Sequence, residues 1–365
     1  MSNSSFRFRL ASALPAKATT PIVFIAMKGI RDTVKAVLLV GGMGTRLRPL
    51  TYRIPKPLVP VLGKPLMLHV IDSLPPEVDE IIIPVSYKKE MMQEYISMNP
   101  PKRKITLVDE PRPLGTGGAV KNVEEFLEDQ GTFLVINGDS LSSLDVAKFV
   151  QFHKEKAGIA SISLWTAEDV TPFGVVDLDE DSRIRRFQEK PKKEEAFSNL
   201  INAGAYALEE DVLDYIGKGF VSMERDIFPQ ILDESMFGFR FGGFWIDCGK
   251  RESLLDAYWT LMGEETVSID RNCVSEAAVV KKPVVVEEGA VISGASVGPH
   301  AYISRRVVIG LRSKVERSVL FEDARVGARC IITDSIIDSG VTIPDGAEIR
   351  SEIISNAKDP NAQGK

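Results

Sequence analysis

Apolar and polar residues change rhythm once along this chain, and the change divides it. From Lys35 to about Leu261, short apolar runs alternate with stretches whose apolar residues recur at helical spacing. Residues 36–40, 80–85, 104–109, 132–137 and 159–165 are too short for helices and rich in aliphatic side chains, so they predict strands. Between them, residues 65–74, 88–97, 117–128 and 144–156 place their apolar positions on one face of a helix. Such alternation predicts an α/β domain, a mixed and mainly parallel sheet covered by helices, with ligands at the carboxyl ends of the strands. Past Trp165 the pattern turns β-rich through Leu208, then helical over 224–232 and 250–261.

The last third follows a different rule. Val279, Val285, Val291, Val297, Ile303, Ile309 and Val315 fall every six residues. The period slips by one to Leu320, resumes at Val326 and Ile332, slips again to Ile337, and continues to Ile343 and Ile349. Single aliphatics at hexad spacing predict a left-handed parallel β-helix in which each points into a triangular core. A solenoid needs covered ends, so this one is expected to pack on the first domain or on another subunit. The expected boundaries are 34–265 for the α/β domain and 270–355 for the β-helix, with residues 1–33 an extension and 356–365 a tail.

A length of 365 residues suits two domains of ordinary size. The net charge of −6 argues against a nucleic-acid partner, so any anionic ligand must be held by local donors. Cys248, Cys273 and Cys330 are too scattered for a disulfide framework or a zinc site, which suits a reducing cytoplasm. Arg7 and Arg9 ahead of the apolar run 21–27 hint at a signal sequence. The run is short and no small-residue cleavage site follows, so a disordered extension or an over-long reading frame is expected. No later run approaches the length that spans a membrane.

Chemistry concentrates in residues 35–56. The first predicted strand runs directly into Gly41, Gly42 and Gly44, where a phosphate chain can lie against backbone amides. Thr45 and Arg46 follow, and the Arg46 guanidinium offers a donor fork suited to phosphate oxygens. Lys56 sits between Pro55 and Pro57, which stiffen the backbone around a second cation. The Lys-Ser or Lys-Thr pair of a Walker loop is missing, as is the third glycine of a dinucleotide fingerprint. Asp139 and Asp247 each end an apolar run and precede small residues. Read alone, they are equally good as ligands for a hard cation such as Mg²⁺ and as helix caps.

The segments GGMGTRLRPLT (41–51) and PKPLVPVLGKP (55–65) resemble the sugar-1-phosphate nucleotidylyltransferases, and within them the mannose-1-phosphate guanylyltransferases. EPRPLGTGGA at Glu110, INGDS at Ile136, FGVV at Phe173, FQEKP at Phe187, NAGAY at Asn202, ERDIFP at Glu224 and WIDCGK at Trp245 follow in the same order. The resemblance covers residues 35 to 355 and implies a Rossmann-like nucleotidyltransferase domain joined to a β-helix. It implies that Arg46 and Lys56 hold the triphosphate and reacting phosphates on the loop of Gly41, Gly42, Gly44 and Thr45. Glu110 and Gly115 match positions that read the base. Gly174, Glu189 and Asn202 match those that face the sugar, and Lys190 the one that holds its phosphate. Asp139 and Asp247 match metal ligands, with Mg²⁺ as the cofactor.

The implied reaction is an in-line displacement needing no general base, because the attacking phosphate oxygen is already an anion. The scarce histidines, His69, His153 and His300, are therefore no objection. The implied partners are a nucleoside triphosphate and a sugar 1-phosphate, with GTP and mannose 1-phosphate leading. Thymidylyl or uridylyl transfer to another sugar 1-phosphate is the alternative, and a non-catalytic regulatory homologue is the third reading. The presence of Arg46, Lys56, Asp139, Lys190 and Asp247 together favours catalysis. Acyl transfer by the β-helix is disfavoured, since His300 is that region's only histidine. A cytoplasmic homo-oligomer assembled through the β-helix, without nucleic acid or membrane, completes the expectation.

Overall fold

The computed structural model describes residues 34–128, 131–270, 273–275 and 277–359, so the expected extension and the end of the tail fall outside it. A nine-stranded mixed sheet organises the first part. Its strands are β1 (Val34–Leu39), β2 (Val78–Val85), β3 (Lys104–Asp109), β4 (Thr132–Asn137), β6 (Ala160–Thr166), β7 (Gly174–Leu178), β8 (Ile184–Glu189), β9 (Leu200–Glu209) and β10 (Met236–Arg240). A separate pair, β5 (Ser140–Ser142) and β11 (Trp245–Asp247), crosses one end. The main order is β8-β7-β9-β4-β1-β2-β3, with β6 beside β9 and β10 beside β6. It is parallel through β4-β1-β2-β3 and antiparallel where β9 joins β4.

Strand β4 shows why this sheet reads as continuous apolar runs. Phe133 and Val135 face one core while Leu134 and Ile136 face the other, and all four are buried. A strand covered on both faces has no polar side to alternate. The covering helices are α1 (Leu66–Ser73), α2 (Lys89–Met98), α3 (Gly115–Lys121), α4 (Val146–Lys156) and α5 (Arg251–Met262). Two helical expectations need correction. The helix expected over 117–128 ends at Lys121 and is followed by a 3-10 turn over Glu124–Phe126. The helix expected over 224–232 is a single wide turn, Met223–Ile227. Pro229 follows directly and has no amide with which to continue it.

The remaining chain winds into the left-handed parallel β-helix that the hexads predict. Three stacks of parallel strands form its sides. Val286 lies beside Ile303, which lies beside Leu320, then Ile337 and Ile354. From Val297 onward every expected aliphatic is interior. The first three positions are off by one: Val280, Val286 and Ile292 face the solenoid core. Val279 and Val291 stand 53% and 47% exposed, and Val285 points the other way. The cause is a short corner between Ile292 and Val297, hidden because Val279-Val280, Val285-Val286 and Val291-Ile292 offer an aliphatic in either phase.

The outward residue on one side, Val285, belongs to a stripe with Tyr302, Val319 and Ile336 that joins the core of the α/β part. Tyr302 packs on Tyr258 of α5 with ring centroids 5.1 Å apart, both rings buried. Each ring contributes roughly 1.5–3 kcal/mol by leaving water. Asp338, fully buried in the solenoid, takes a bidentate ion pair from Arg53, which lies just past the glycine loop. The solenoid therefore braces the loop that follows β1.

Candidate active site

The glycine loop leaves β1 at the carboxyl end of the sheet. Gly44 has φ +62°, and a Cβ there would meet Thr51 Cγ2 at 2.8 Å. Thr51 Oγ1 donates to the Gly44 carbonyl at 2.8 Å, so the turn is pinned from below. Gly42 faces open space. Thr45 starts the 3-10 turn Thr45–Leu47, which is anchored by buried Leu47 and presents Arg46 outward, 56% exposed.

Lys56 opens a second 3-10 turn, Lys56–Leu58, and is 5% exposed. Its Nζ donates to Asp139 Oδ2 at 2.6 Å and lies 3.6 Å from Asp247 Oδ1. Asp139 sits in the turn between β4 and β5, and Asp247 ends β11 opposite Ser140 of β5. The Cys248 amide donates to the Asp139 carbonyl at 3.2 Å, closing the two turns on each other. Arg46 Nη2 reaches Asp247 Oδ2 at 3.5 Å. The helix-capping alternative fails: Asp139 leads into a strand, and α5 is capped at Lys250 instead. Two cations and two carboxylates from four separate segments thus converge.

The donor set fits a hard divalent cation. Two carboxylates, 36% and 27% exposed, already share one cationic group, the Lys56 ammonium. Among the described residues no cluster of three or more His, Cys, Asp or Glu side chains could enclose a metal. Phosphate oxygens and water would have to complete its shell.

Glu110 lies under the glycine loop, 4% exposed. Its Oε1 accepts from the Leu114 amide at 2.7 Å, while its buried Oε2 has no hydrogen-bond partner and faces Gly41. Burial pushes its carboxyl above the usual range, with the Leu114 amide opposing. Gly115 begins α3 at φ +74°, where a Cβ would strike the Val221 carbonyl at 2.5 Å. Of the expected base-side pair, Gly115 therefore sits tight against Val221, while Glu110 lies by Gly41.

The residues expected on the sugar side form a second group. Glu189 pairs with Gly174 across β8 and β7, and a Cβ on Gly174 would meet Glu189 Oε2 at 3.0 Å. Lys190 Nζ lies 3.3 Å from Glu189 Oε1 and pairs with neither aspartate. Burial raises the Glu189 carboxyl, Lys190 opposes that, and Glu224 adds to it. Asn202 is buried, donates to Tyr206 Oη at 2.9 Å and accepts from the Gly204 amide. Trp245 links the two groups. It shares β11 with Asp247, donates to the Ala203 carbonyl at 2.8 Å and meets Phe173 edge-on at 5.1 Å.

Three side chains were not foreseen. Tyr206 donates to Glu224 Oε1 at 2.9 Å, and Glu224 Oε2 accepts from Thr116 at 2.7 Å. A polar chain, buried at Asn202 and Tyr206 and half-buried at Glu224 and Thr116, thus runs to the start of α3. The segments carrying Tyr206 and Glu224 stood out in the sequence, but nothing local gives either residue a role. His153 is bound to Ser161 and Glu209, and His69 to the Val61 carbonyl, so neither serves the site. The Cys248 thiol is pushed up to about 12 by burial and is no nucleophile at neutral pH.

Comparison with known proteins gives the family. The family model described as nucleotidyl transferase matches residues 35–262, and the GlmU-like C-terminal hexapeptide model matches 283–359. A probable mannose-1-phosphate guanylyltransferase 1 from Oryza sativa subsp. japonica is 33% identical over 88% of this chain and 90% of its own. The mannose-1-phosphate guanylyltransferase of Mycobacterium tuberculosis is 34% identical over 82% of this chain and 83% of its own. HddC from Yersinia pseudotuberculosis, solved with GMP-PN, is 32% identical over 62% of this chain and 98% of its own, with a TM-score of 0.53. No helix among the described residues is long and apolar enough to cross a membrane. Members of the matched family generally use a divalent metal and act on a nucleotide and a sugar phosphate. The chain belongs to the nucleotidyl transferase family and is a sugar-1-phosphate nucleotidyltransferase, forming a nucleoside diphosphate sugar from a sugar 1-phosphate.

Proposed function

We propose that this enzyme transfers guanylyl from GTP to mannose 1-phosphate, giving GDP-mannose and pyrophosphate. The observation that carries the chemistry is the convergence of Asp139 and Asp247 on Lys56 beside Arg46. An oxygen of the sugar phosphate bonds to the α-phosphorus, and the bond from that phosphorus to the β-phosphate oxygen breaks as pyrophosphate leaves. Arg46 and Lys56 neutralise the triphosphate on the glycine loop, and Lys190 positions the sugar phosphate. Asp139 and Asp247 would hold Mg²⁺, which would offset the charge that builds on the phosphoryl oxygens.

The base and sugar rest on the relatives, several of which carry the guanylyltransferase name. We infer that Glu110 and Gly115 shape the base side, and that Gly174, Glu189 and Asn202 line the sugar side. Homo-oligomer formation through the β-helix is supported by Val279 and Val291, exposed on its outer sides. A monomer by light scattering would end that part.

A pyrophosphate-release panel crossing four nucleoside triphosphates with several sugar 1-phosphates tests the substrate pair. GTP with mannose 1-phosphate should lead it. A lead for dTTP or UTP with glucose 1-phosphate would replace the pair and keep the chemistry. Silence across the panel would favour a regulatory role.

A further inference from the structure

Phe220 is 73% exposed, more than any other large hydrophobic side chain among the described residues. It stands in the segment Gly-Lys-Gly-Phe-Val over residues 217–221, with Gly219 at φ +102°. The backbone beside it is firmly held. The Val221 amide donates to the Leu114 carbonyl at 2.8 Å, and the Val221 carbonyl accepts from the Gly117 and Gly118 amides at 2.9 and 3.0 Å. Glycine on α3 permits this approach: a Cβ on Gly118 would run into the Gly219 carbonyl, and one on Gly117 would lie 3.0 Å from Val221 Cγ1. A single exposed apolar residue is ordinary on a protein surface. Its position sets this one apart. A Cβ on Gly115 would lie 3.5 Å from Phe220 Cε2, and Leu114, which pins Val221, also gives its amide to Glu110 Oε1. The other Glu110 oxygen, buried and without a hydrogen-bond partner, faces Gly41. A continuous row therefore runs from the phenyl ring through Gly115 and Glu110 to the glycine loop.

We propose that Phe220 stacks on the base of the bound nucleotide. The inference rests on the reading of Glu110 and Gly115 as the base side of the site. A nucleobase has polar edges and an apolar face, and the two need different partners. Glu110 and Gly115 supply a carboxylate oxygen and bare backbone, which suit an edge and offer little apolar area. Phe220 supplies the ring that a base face lacks there. Because Val221 is clamped to α3, the ring has only its own two torsions to fix when the base arrives, so little of the stacking energy is lost to ordering. The same clamp gives the glycines of α3 a purpose in binding: they let residues 219–221 sit close enough to carry the ring to Gly115.

Calorimetry on the full chain, with Mg²⁺ and no sugar phosphate, compares GTP with inorganic tripolyphosphate, which has the phosphates but no base. Phe220→Ala should weaken GTP about tenfold or more and leave tripolyphosphate unchanged. In turnover the loss should fall on the KM for the nucleotide and spare that for the sugar phosphate. Phe220→Trp should restore GTP affinity, and GTP should quench the added indole fluorescence where tripolyphosphate does not. Unchanged GTP affinity in Phe220→Ala overturns the stack, as does indole quenching that tripolyphosphate matches. Equal losses for GTP and tripolyphosphate overturn it too, since the damage is then to the fold around Gly115. A change in sedimentation of Phe220→Ala with GTP affinity intact would make the ring a contact between proteins instead. Should dTTP lead the substrate panel, the guanylyl reading falls by that result, and the stack is judged by the same comparison made with dTTP.

Discussion

Replacing Lys56 by methionine separates the two jobs its position implies. In the wild type the ammonium lies 2.6 Å from Asp139 and 3.6 Å from Asp247, and is itself almost wholly buried. Removing one partner of a buried pair costs about 3–5 kcal/mol. Here both carboxylates reach water, at 36% and 27% exposure, so a cost of about 1–3 kcal/mol is expected. The two aspartates then face each other with only Arg46 nearby, and a divalent cation relieves them more than it does in the wild type. Saturating a site to a hundred times its dissociation constant adds about 2.7 kcal/mol to stability. Thermal melts in EDTA and in Mg²⁺ read this directly. Lys56→Met should melt lower than wild type in EDTA and gain more from Mg²⁺. Its turnover should fall about 10²–10³-fold, since a charge-stabilising donor is lost from the reacting phosphates. Equal Mg²⁺ shifts in both proteins would refute a shared site for lysine and metal. Turnover within about tenfold of wild type would remove Lys56 from the chemistry.

Asp139→Asn and Asp247→Asn should each lower turnover by at least about a hundredfold with an unchanged circular dichroism spectrum; near-native turnover in either would take that residue out of the mechanism. Lys190→Ala should raise the KM for the sugar phosphate about tenfold to a hundredfold and spare that for the nucleotide, and the opposite split would contradict its assignment. Glu110 is raised by burial, so its ionised form is disfavoured in the fold. The wild type should therefore lose stability relative to Glu110→Gln as pH rises through the raised value, and denaturation at several pH values would show a pH-independent difference if this is mistaken. Asp338→Ala leaves the Arg53 guanidinium without its bidentate partner and should cost about 2–4 kcal/mol in chemical denaturation, whereas a cost near zero would mean the solenoid does not brace the loop after β1.

What the sequence discloses here depends on how far apart the interacting parts lie. The glycine loop, Arg46 and Lys56 are legible because each is fixed by its immediate neighbours: an apolar strand before, glycines at the turn, prolines on either side. Asp139 and Asp247 are ambiguous as isolated residues, since an aspartate ahead of a helical pattern serves equally well as a cap. Only the pairing of β5 with β11 brings them onto Lys56, and no local pattern announces that pairing. Tyr206 and Glu224 are hidden for the same reason. Their link to Thr116 closes across the fold, between segments that read separately as a strand and a helix start.

The first coil of the β-helix fails to disclose its phase for a more particular reason. Alternation marks register only when one face of a strand meets water. On the side facing the α/β layer, Val285, Tyr302, Val319 and Ile336 are covered as completely as the interior residues that flank them. Both faces are then apolar, and Val284-Val285-Val286 gives no hint of which valine points inward. The ambiguity carries information only where it is repeated from coil to coil: the outward stripe Val285, Tyr302, Val319 and Ile336 is covered from outside, whereas Val279 and Val291 stand exposed. The valine triplet that misplaces the first hexads is thus the same feature that marks where the β-helix meets Tyr258 and the rest of the α/β core.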